Sequence, residues 1–121
     1  LASLSPKLAD SVPDANQFGE GWSRRHEECR IMPEVLDAWA AGYNCQFKFV
    51  VSDPSQIEEI NELLARVTPQ PGPGEVLLMP EGTDPGTLRD RGQFVAGLCK
   101  RTGYRFCPRL HIELFGNTKG T

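Results

Sequence analysis

The sequence has 121 residues, and at about 150 residues per domain that length allows a single domain. Hydrophobic residues make up 39% and charged residues 24%, which excludes a disordered tail because enough apolar surface exists to offset chain entropy. A net charge of -3 argues against a nucleic-acid backbone as partner, and no apolar run approaches the roughly 18 residues that span a bilayer.

The chain opens on a short apolar run, Leu1–Leu4, which reads as a buried strand stopped by Pro6. It starts with Leu rather than Met and no basic-then-apolar leader precedes the strand, so a piece of a longer protein without a signal peptide is expected. Ala9 to Gly21 is polar and reads as a loop. Pro33–Ala41 follows as a helix, with proline suited to its opening turn. Val35, Leu36 and Trp39 supply one apolar face, and Gly42 ends it.

Gln46–Val51 is rich in aromatic and β-branched residues and reads as a strand. Alternation sends Phe47 and Phe49 to one face, Gln46 and Lys48 to the other. Ser52-Asp53-Pro54 then offers a helix cap and a first-turn proline, with Glu58 and Glu59 near the positive end of the helix dipole. Ile57, Ile60, Leu63, Leu64 and Val67 recur at helical spacing. Thr68–Gly74 is a stiff linker, since Pro69, Pro71 and Pro73 remove donors and fix φ.

The continuous apolar run Val76–Met79 predicts a strand covered on both faces. Asp84-Pro85 opens another helix carrying Leu88, Phe94, Val95, Leu98 and Cys99. Gly92 and Gly97 weaken it by up to about 1 kcal/mol each, and Gly103 closes it. Leu110–Phe115 alternates and reads as the last strand, before a flexible end from Gly116 to Thr121. The order β-α-β-α-β-α-β predicts an α/β fold: an open parallel sheet, or an arc of a barrel. An arc leaves an unpaired edge and a bare sheet face, which again points to missing polypeptide.

Cys29, Cys45, Cys99 and Cys107 contain no C-x-x-C pair, so no short loop preorganises thiolates for zinc or an iron-sulfur cluster. Four reduced, mostly buried thiols in a cytoplasmic protein are the simplest reading. His111 and Glu113 share a strand face and lie near Cys107, but the Pro-Cys-x-x-Cys of zinc deaminases does not follow them. A buried His-Glu pair or a substrate contact is the preferred reading. Arg24, Arg25, Arg30, Arg105 and Arg109 read as solvated faces or subunit contacts. No phosphate-binding glycine loop occurs.

In parallel α/β folds, ligands sit beyond the carboxyl ends of the strands. Ser5-Pro6-Lys7, Ser52-Asp53, Pro80-Glu81-Gly82 and Gly116-Asn117 occupy that rim in this reading. Lys7 is a cation just past a strand, either a ligand contact or a solvated lysine. Gln46 and Lys48 would face a barrel lumen, or water if the sheet is covered on one side only.

The strings SLSPKL (Ser3–Leu8), QFKFVV (Gln46–Val51), LLMPEG (Leu77–Gly82) and RLHIELFGNTKGT (Arg109–Thr121), in this order, resemble the carboxyl-terminal half of the 7-carboxy-7-deazaguanine synthase family. These are radical S-adenosylmethionine enzymes of queuosine and deazapurine biosynthesis. The resemblance implies an incomplete TIM-like barrel and a homodimer. It also implies a carbon-nitrogen lyase that uses a 4Fe-4S cluster, S-adenosylmethionine and Mg2+. That enzyme would contract 6-carboxy-5,6,7,8-tetrahydropterin to 7-carboxy-7-deazaguanine and release ammonia. Ser5, Pro6 and Lys7 would touch S-adenosylmethionine, as would Met79, Pro80, Glu81 and Gly82. Gln46, Lys48 and Thr121 would approach the pterin.

The family's C-x3-C-x2-C cluster loop, with its metal-binding Thr, has no counterpart here. The resemblance therefore places the cluster and Mg2+ ligands in an absent amino-terminal half, and the fragment by itself is expected to be inactive. The alternative is a non-catalytic half-barrel that binds another chain through its open sheet.

Overall fold

A computed structural model describes residues 1–11 and 33–118. Strand β1 (Ala2–Leu4) leads through a 3-10 turn (Ala9–Ser11) towards helix α1 (Pro33–Gly42), β2 (Cys45–Val51) and α2 (Gln56–Ala65). A second 3-10 turn (Pro73–Glu75) then runs into β3 (Val76–Pro80), α3 (Pro85–Thr102), the two-residue β4 (Arg105–Phe106) and α4 (Leu110–Phe115). The four strands form one sheet in the order β1-β2-β3-β4, every pair parallel. Strands and helices alternate as the sequence predicts, and the fold is α/β. None of the described helices is long and apolar enough to cross a membrane.

The pleat of β2 decides which side of the sheet is packed. Cys45, Phe47, Phe49 and Val51 are buried, while Gln46, Lys48 and Val50 between them are only half-buried. Phe47 and Phe49 belong to a core with Val76 and Leu78 of β3, Ile60, Leu63 and Leu64 of α2, and Val95 and Leu98 of α3. Phe49 and Val51 are 0% exposed. Helices thus cover one face, and the other carries Gln46, Lys48, Val50, Leu77 and Met79, paired in register as Lys48 with Leu77 and Val50 with Met79.

Several elements depart from expectation. Leu110–Phe115 is helix rather than strand, and β4 lies earlier, at Arg105–Phe106. Gly103, at φ +80° with its N–H on the Cys99 carbonyl, ends α3 and turns the chain straight into the sheet. Arg105 and Phe106 therefore take the place beside Leu77 and Leu78, and the ladder closes with Cys107 N–H on Leu78 carbonyl, 2.8 Å. Pro108 cannot donate to a further ladder bond. His111 and Glu113 are consequently exposed and share no strand face, so the buried His-Glu pair does not form. Among the apolar residues of α4 only Ile112 is buried.

Val76–Met79 is covered on one face rather than two, because Leu77 and Met79 are half-buried. Strand β1 is an edge strand with Leu1 and Ser3 exposed, not a buried one. Helix α2 starts at Gln56 with Ser55 at its cap. Asp53 accepts from the Ser55 N–H (2.8 Å) and hydroxyl (2.5 Å), which closes a turn over Ser52–Ser55 in place of the expected cap. On α1, Leu36 and Ala40 pack on the core, whereas Val35 and Trp39 stay largely exposed. Cys45 and Cys99 are buried and Cys107 half-buried. Arg24, Arg25, Cys29, Arg30 and Thr121 lie outside the described residues, as does the loop beyond Ser11.

Two measurements check this packing. Phe49→Ala empties a fully buried site and is expected to lower unfolding free energy by about 3–5 kcal/mol in urea; a loss under about 1 kcal/mol would contradict the assigned core. Asp84 caps α3 by accepting from Thr87 N–H and Oγ1, and these bonds, the backbone one foremost, hold its carboxyl below the ordinary carboxylate range. Stability gained this way is present above the unfolded-state value and is lost as pH falls through the lower folded-state value. Asp84→Ala should therefore destabilise most at neutral pH and progressively less in acid, seen as converging thermal midpoints of the two proteins.

Candidate functional site

A cleft of about 480 Å³ opens where β1, β2 and β3 end. Ser5, Pro6, Lys7, Leu8 and Asp10 line it from the segment after β1, Val50 and Ser52 from the end of β2, Glu81 from the turn after β3, and Arg91 from α3. The three rim segments read from the sequence at these strand ends therefore meet in one place. The fourth, Gly116-Asn117, does not line the cleft, because the last strand ends at Phe106 and Cys107-Pro108-Arg109 follows it instead. A volume in the range of about 300–1,000 Å³ suits a small organic ligand.

Hydrogen bonds across the rim hold the segment after β1 in place. Ala9 N–H donates to Glu59 Oε1 at 2.8 Å. Asp10 Oδ2 accepts from Ser52 Oγ at 2.9 Å and from Gln56 Nε2 at 2.7 Å. Gln56 Oε1 in turn accepts from the N–H groups of Ser52 (2.8 Å) and Asp53 (3.1 Å). Ser5-Pro6-Lys7 is thus tied at its carboxyl side to the start of α2. Pro6 and Leu8 are buried while Ser5 and Lys7 are exposed, which presents hydroxyl and ammonium at the surface.

The turn after β3 is held as closely. Glu81 N–H donates to the Val51 carbonyl at 2.8 Å. Arg91 Nη1 donates to the Glu81 carbonyl at 2.9 Å and pairs with the Glu81 carboxylate. Arg109 Nη1 donates to the Gly82 carbonyl at 3.1 Å. Gly82 adopts φ +155°, where a side chain is strained, and an added Cβ would stand 3.1 Å from Leu88 Cδ2 and 3.2 Å from Thr87 Cγ2.

Among the sequence-predicted residues, Ser5, Pro6, Lys7 and Glu81 line the cleft. Pro80 and Gly82 are buried beneath the turn, and Met79 stands half-buried on the open sheet face. Gln46 and Lys48 share that face, and Gln46 Nε2 donates to Ser3 Oγ at 3.1 Å. Asp10 and Arg91 were not legible as cleft residues. The available signal for Arg91 is its place in the second turn of α3, since the early turns of a crossover helix stand next to the end of the strand that feeds it.

S-adenosylmethionine carries a carboxylate, an amine, a ribose diol and an adenine, and the polar groups of the cleft are Lys7, the mutually paired Arg91 and Glu81, and Asp10 with Ser52, which bond each other. A 4Fe-4S cluster does not fit the described residues. Among them no group of three or more His, Cys, Asp or Glu stands close enough to hold a metal ion.

Curated proteins similar to the chain are 7-carboxy-7-deazaguanine synthases. That of Halobacterium salinarum is 44% identical over 128 aligned positions, covering 100% of this chain and 50% of the relative. That of Rhodopirellula baltica is 32% identical over 125 positions, covering 100% of this chain and 46% of the relative. That of Pyrobaculum aerophilum is 34% identical over 83 positions, covering 68% and 36% respectively. The resemblance carried by the SPK, MPEG and LHIELFGN strings is thereby borne out, and the chain spans about half the length of the curated relatives it matches. No family model and no solved structure matches it.

The geometry at Gly82 carries its own prediction. Gly82→Ala combines a strained φ with tight contacts that make the Leu88 and Thr87 side chains give way, and should cost about 1–3 kcal/mol in chemical denaturation. A variant as stable as the parent would show that the turn is held differently.

Proposed function

We propose that this chain is the cofactor- and substrate-binding portion of a 7-carboxy-7-deazaguanine synthase. In this reading it is the carboxyl-terminal half of an incomplete TIM-like radical S-adenosylmethionine barrel. The observation that carries the proposal is the meeting of Ser5-Pro6-Lys7 with Glu81 in one cleft at the carboxyl ends of neighbouring parallel strands. The names of the curated relatives support the same activity.

When bound, S-adenosylmethionine supplies the radical chemistry that opens the ring contraction of 6-carboxy-5,6,7,8-tetrahydropterin to 7-carboxy-7-deazaguanine, with ammonia leaving. This chain's residues bind and orient. Lys7 offers its ammonium to the cofactor's carboxylate, a charge-assisted hydrogen bond. Glu81, its backbone fixed by the Val51 and Arg91 bonds, sets the opposite wall. Pro80 and Gly82 shape the turn from beneath, and Met79 stands on the open sheet face. Gln46 and Lys48, on the open sheet face, contact the pterin in this reading, and Thr121 belongs to the same substrate site by resemblance. The cluster and Mg2+ ligands belong to polypeptide outside these residues, and the chain alone does not turn over. The assembled protein is a cytoplasmic homodimer in the queuosine pathway, without a nucleic-acid or membrane partner.

Calorimetric titration of the chain with S-adenosylmethionine tests the reading. Saturable binding is expected, and Lys7→Ala should weaken it about 10- to 100-fold, the effect of one charged hydrogen bond. No binding by the parent chain would overturn the reading of this cleft as the S-adenosylmethionine site. Binding indifferent to Lys7 would remove Lys7 from the site.

A further inference from the structure

Three backbone groups of the turn after β3 are each engaged from a different element. The Glu81 N–H donates to β2 through the Val51 carbonyl, and the Glu81 carbonyl accepts from Arg91 of α3. The Gly82 carbonyl accepts from Arg109, which stands between β4 and α4. Arg109 does not line the cleft. Its Nε–H is buried and, among the described residues, finds no acceptor. Burying an unpaired donor of a charged group works against stability. Packing alone is therefore a poor account of why a guanidinium stands there.

The segment it grips needs restraint. Gly82 lies at φ +155°, a conformation that glycine enters and leaves without steric penalty. Left to itself the turn would sample other conformations and carry Glu81 with it. We infer that Arg109 is a positioning residue of the cleft: from outside, it locks the Gly82 carbonyl and so sets where Glu81 faces Ser5-Pro6-Lys7. Arg91 holds the turn from one side and Arg109 from the other, which leaves the turn preorganised before any ligand arrives. The inference rests on the reading of the cleft as an S-adenosylmethionine site. It extends that reading to a residue that touches no ligand.

The test measures hydrogen exchange of the Glu81 amide, bonded to the Val51 carbonyl, in the parent chain, Arg109→Ala and Arg109→Lys, alongside calorimetry with S-adenosylmethionine. Arg109→Ala should speed exchange at this amide about tenfold, the shift that one hydrogen bond to a charged group carries, while the Phe49 and Val95 amides keep the parent's rates. Its affinity for S-adenosylmethionine should fall about tenfold. Arg109→Lys keeps a cation for the Gly82 oxygen and removes the unpaired Nε–H, so it should restore both. Unchanged exchange at Glu81 overturns the inference, and so does faster exchange throughout the core, which marks a merely structural role. Faster local exchange with undiminished affinity overturns it too. A parent chain that shows the exchange pattern yet binds no S-adenosylmethionine supports the lock and sinks only the reading of the ligand.

Discussion

Parallel strands laid side by side in chain order each need a crossover, and the shared right-handed sense of crossovers puts the helices on one side of the sheet. That constraint governs this protein. Phe47, Phe49, Val51, Val76 and Leu78 pack against α2 and α3, and the alternate residues Gln46, Lys48, Val50, Leu77 and Met79 are left half-buried on the opposite face. Because the crossover helices start beside the strands' carboxyl ends, the same geometry gathers the loops after β1, β2 and β3 around one cleft. The bare sheet face and the rim cleft are thus two results of a single winding rule.

The rim is held by interactions that differ from those that hold the core. The core is held by apolar burial, whereas the segment after β1 and the turn after β3 are held by hydrogen bonds across the rim. Asp10 with Ser52 and Gln56 secures one wall, and Arg91 and Arg109 on successive carbonyls secure the other. A polar network of this kind fixes geometry more than it adds stability.

Strong periodicity was legible in the sequence. The Ile57-Ile60-Leu64 spacing gave α2, the Phe47/Phe49 alternation gave the packed face of β2, and Asp84-Pro85 with Gly103 bounded α3 at both ends. Three of the four rim segments followed from those strands. The reading failed where a short pattern fits two periods. Leu110–Phe115 alternates like a strand, but the place beside β3 is taken by Arg105 and Phe106 as soon as the chain leaves α3, a tertiary fact no local pattern carries. The same limit applies to Val76–Met79, whose unbroken apolar run looks doubly covered although only Val76 and Leu78 point to helices. Asp10, Arg91 and Arg109 are charged residues in unremarkable local contexts, and only the winding of the chain shows that they converge.

The cleft at the ends of β1, β2 and β3 is proposed to receive S-adenosylmethionine. The most direct measurement is nuclear magnetic resonance of the isotope-labelled chain titrated with S-adenosylhomocysteine, the stable product analogue. Saturable shifts are expected at Ser5, Lys7, Asp10, Ser52 and Glu81, with the amino ends of the strands, Cys45 and Val76, unmoved. Shifts centred on those amino ends, or none at saturating ligand, would contradict it.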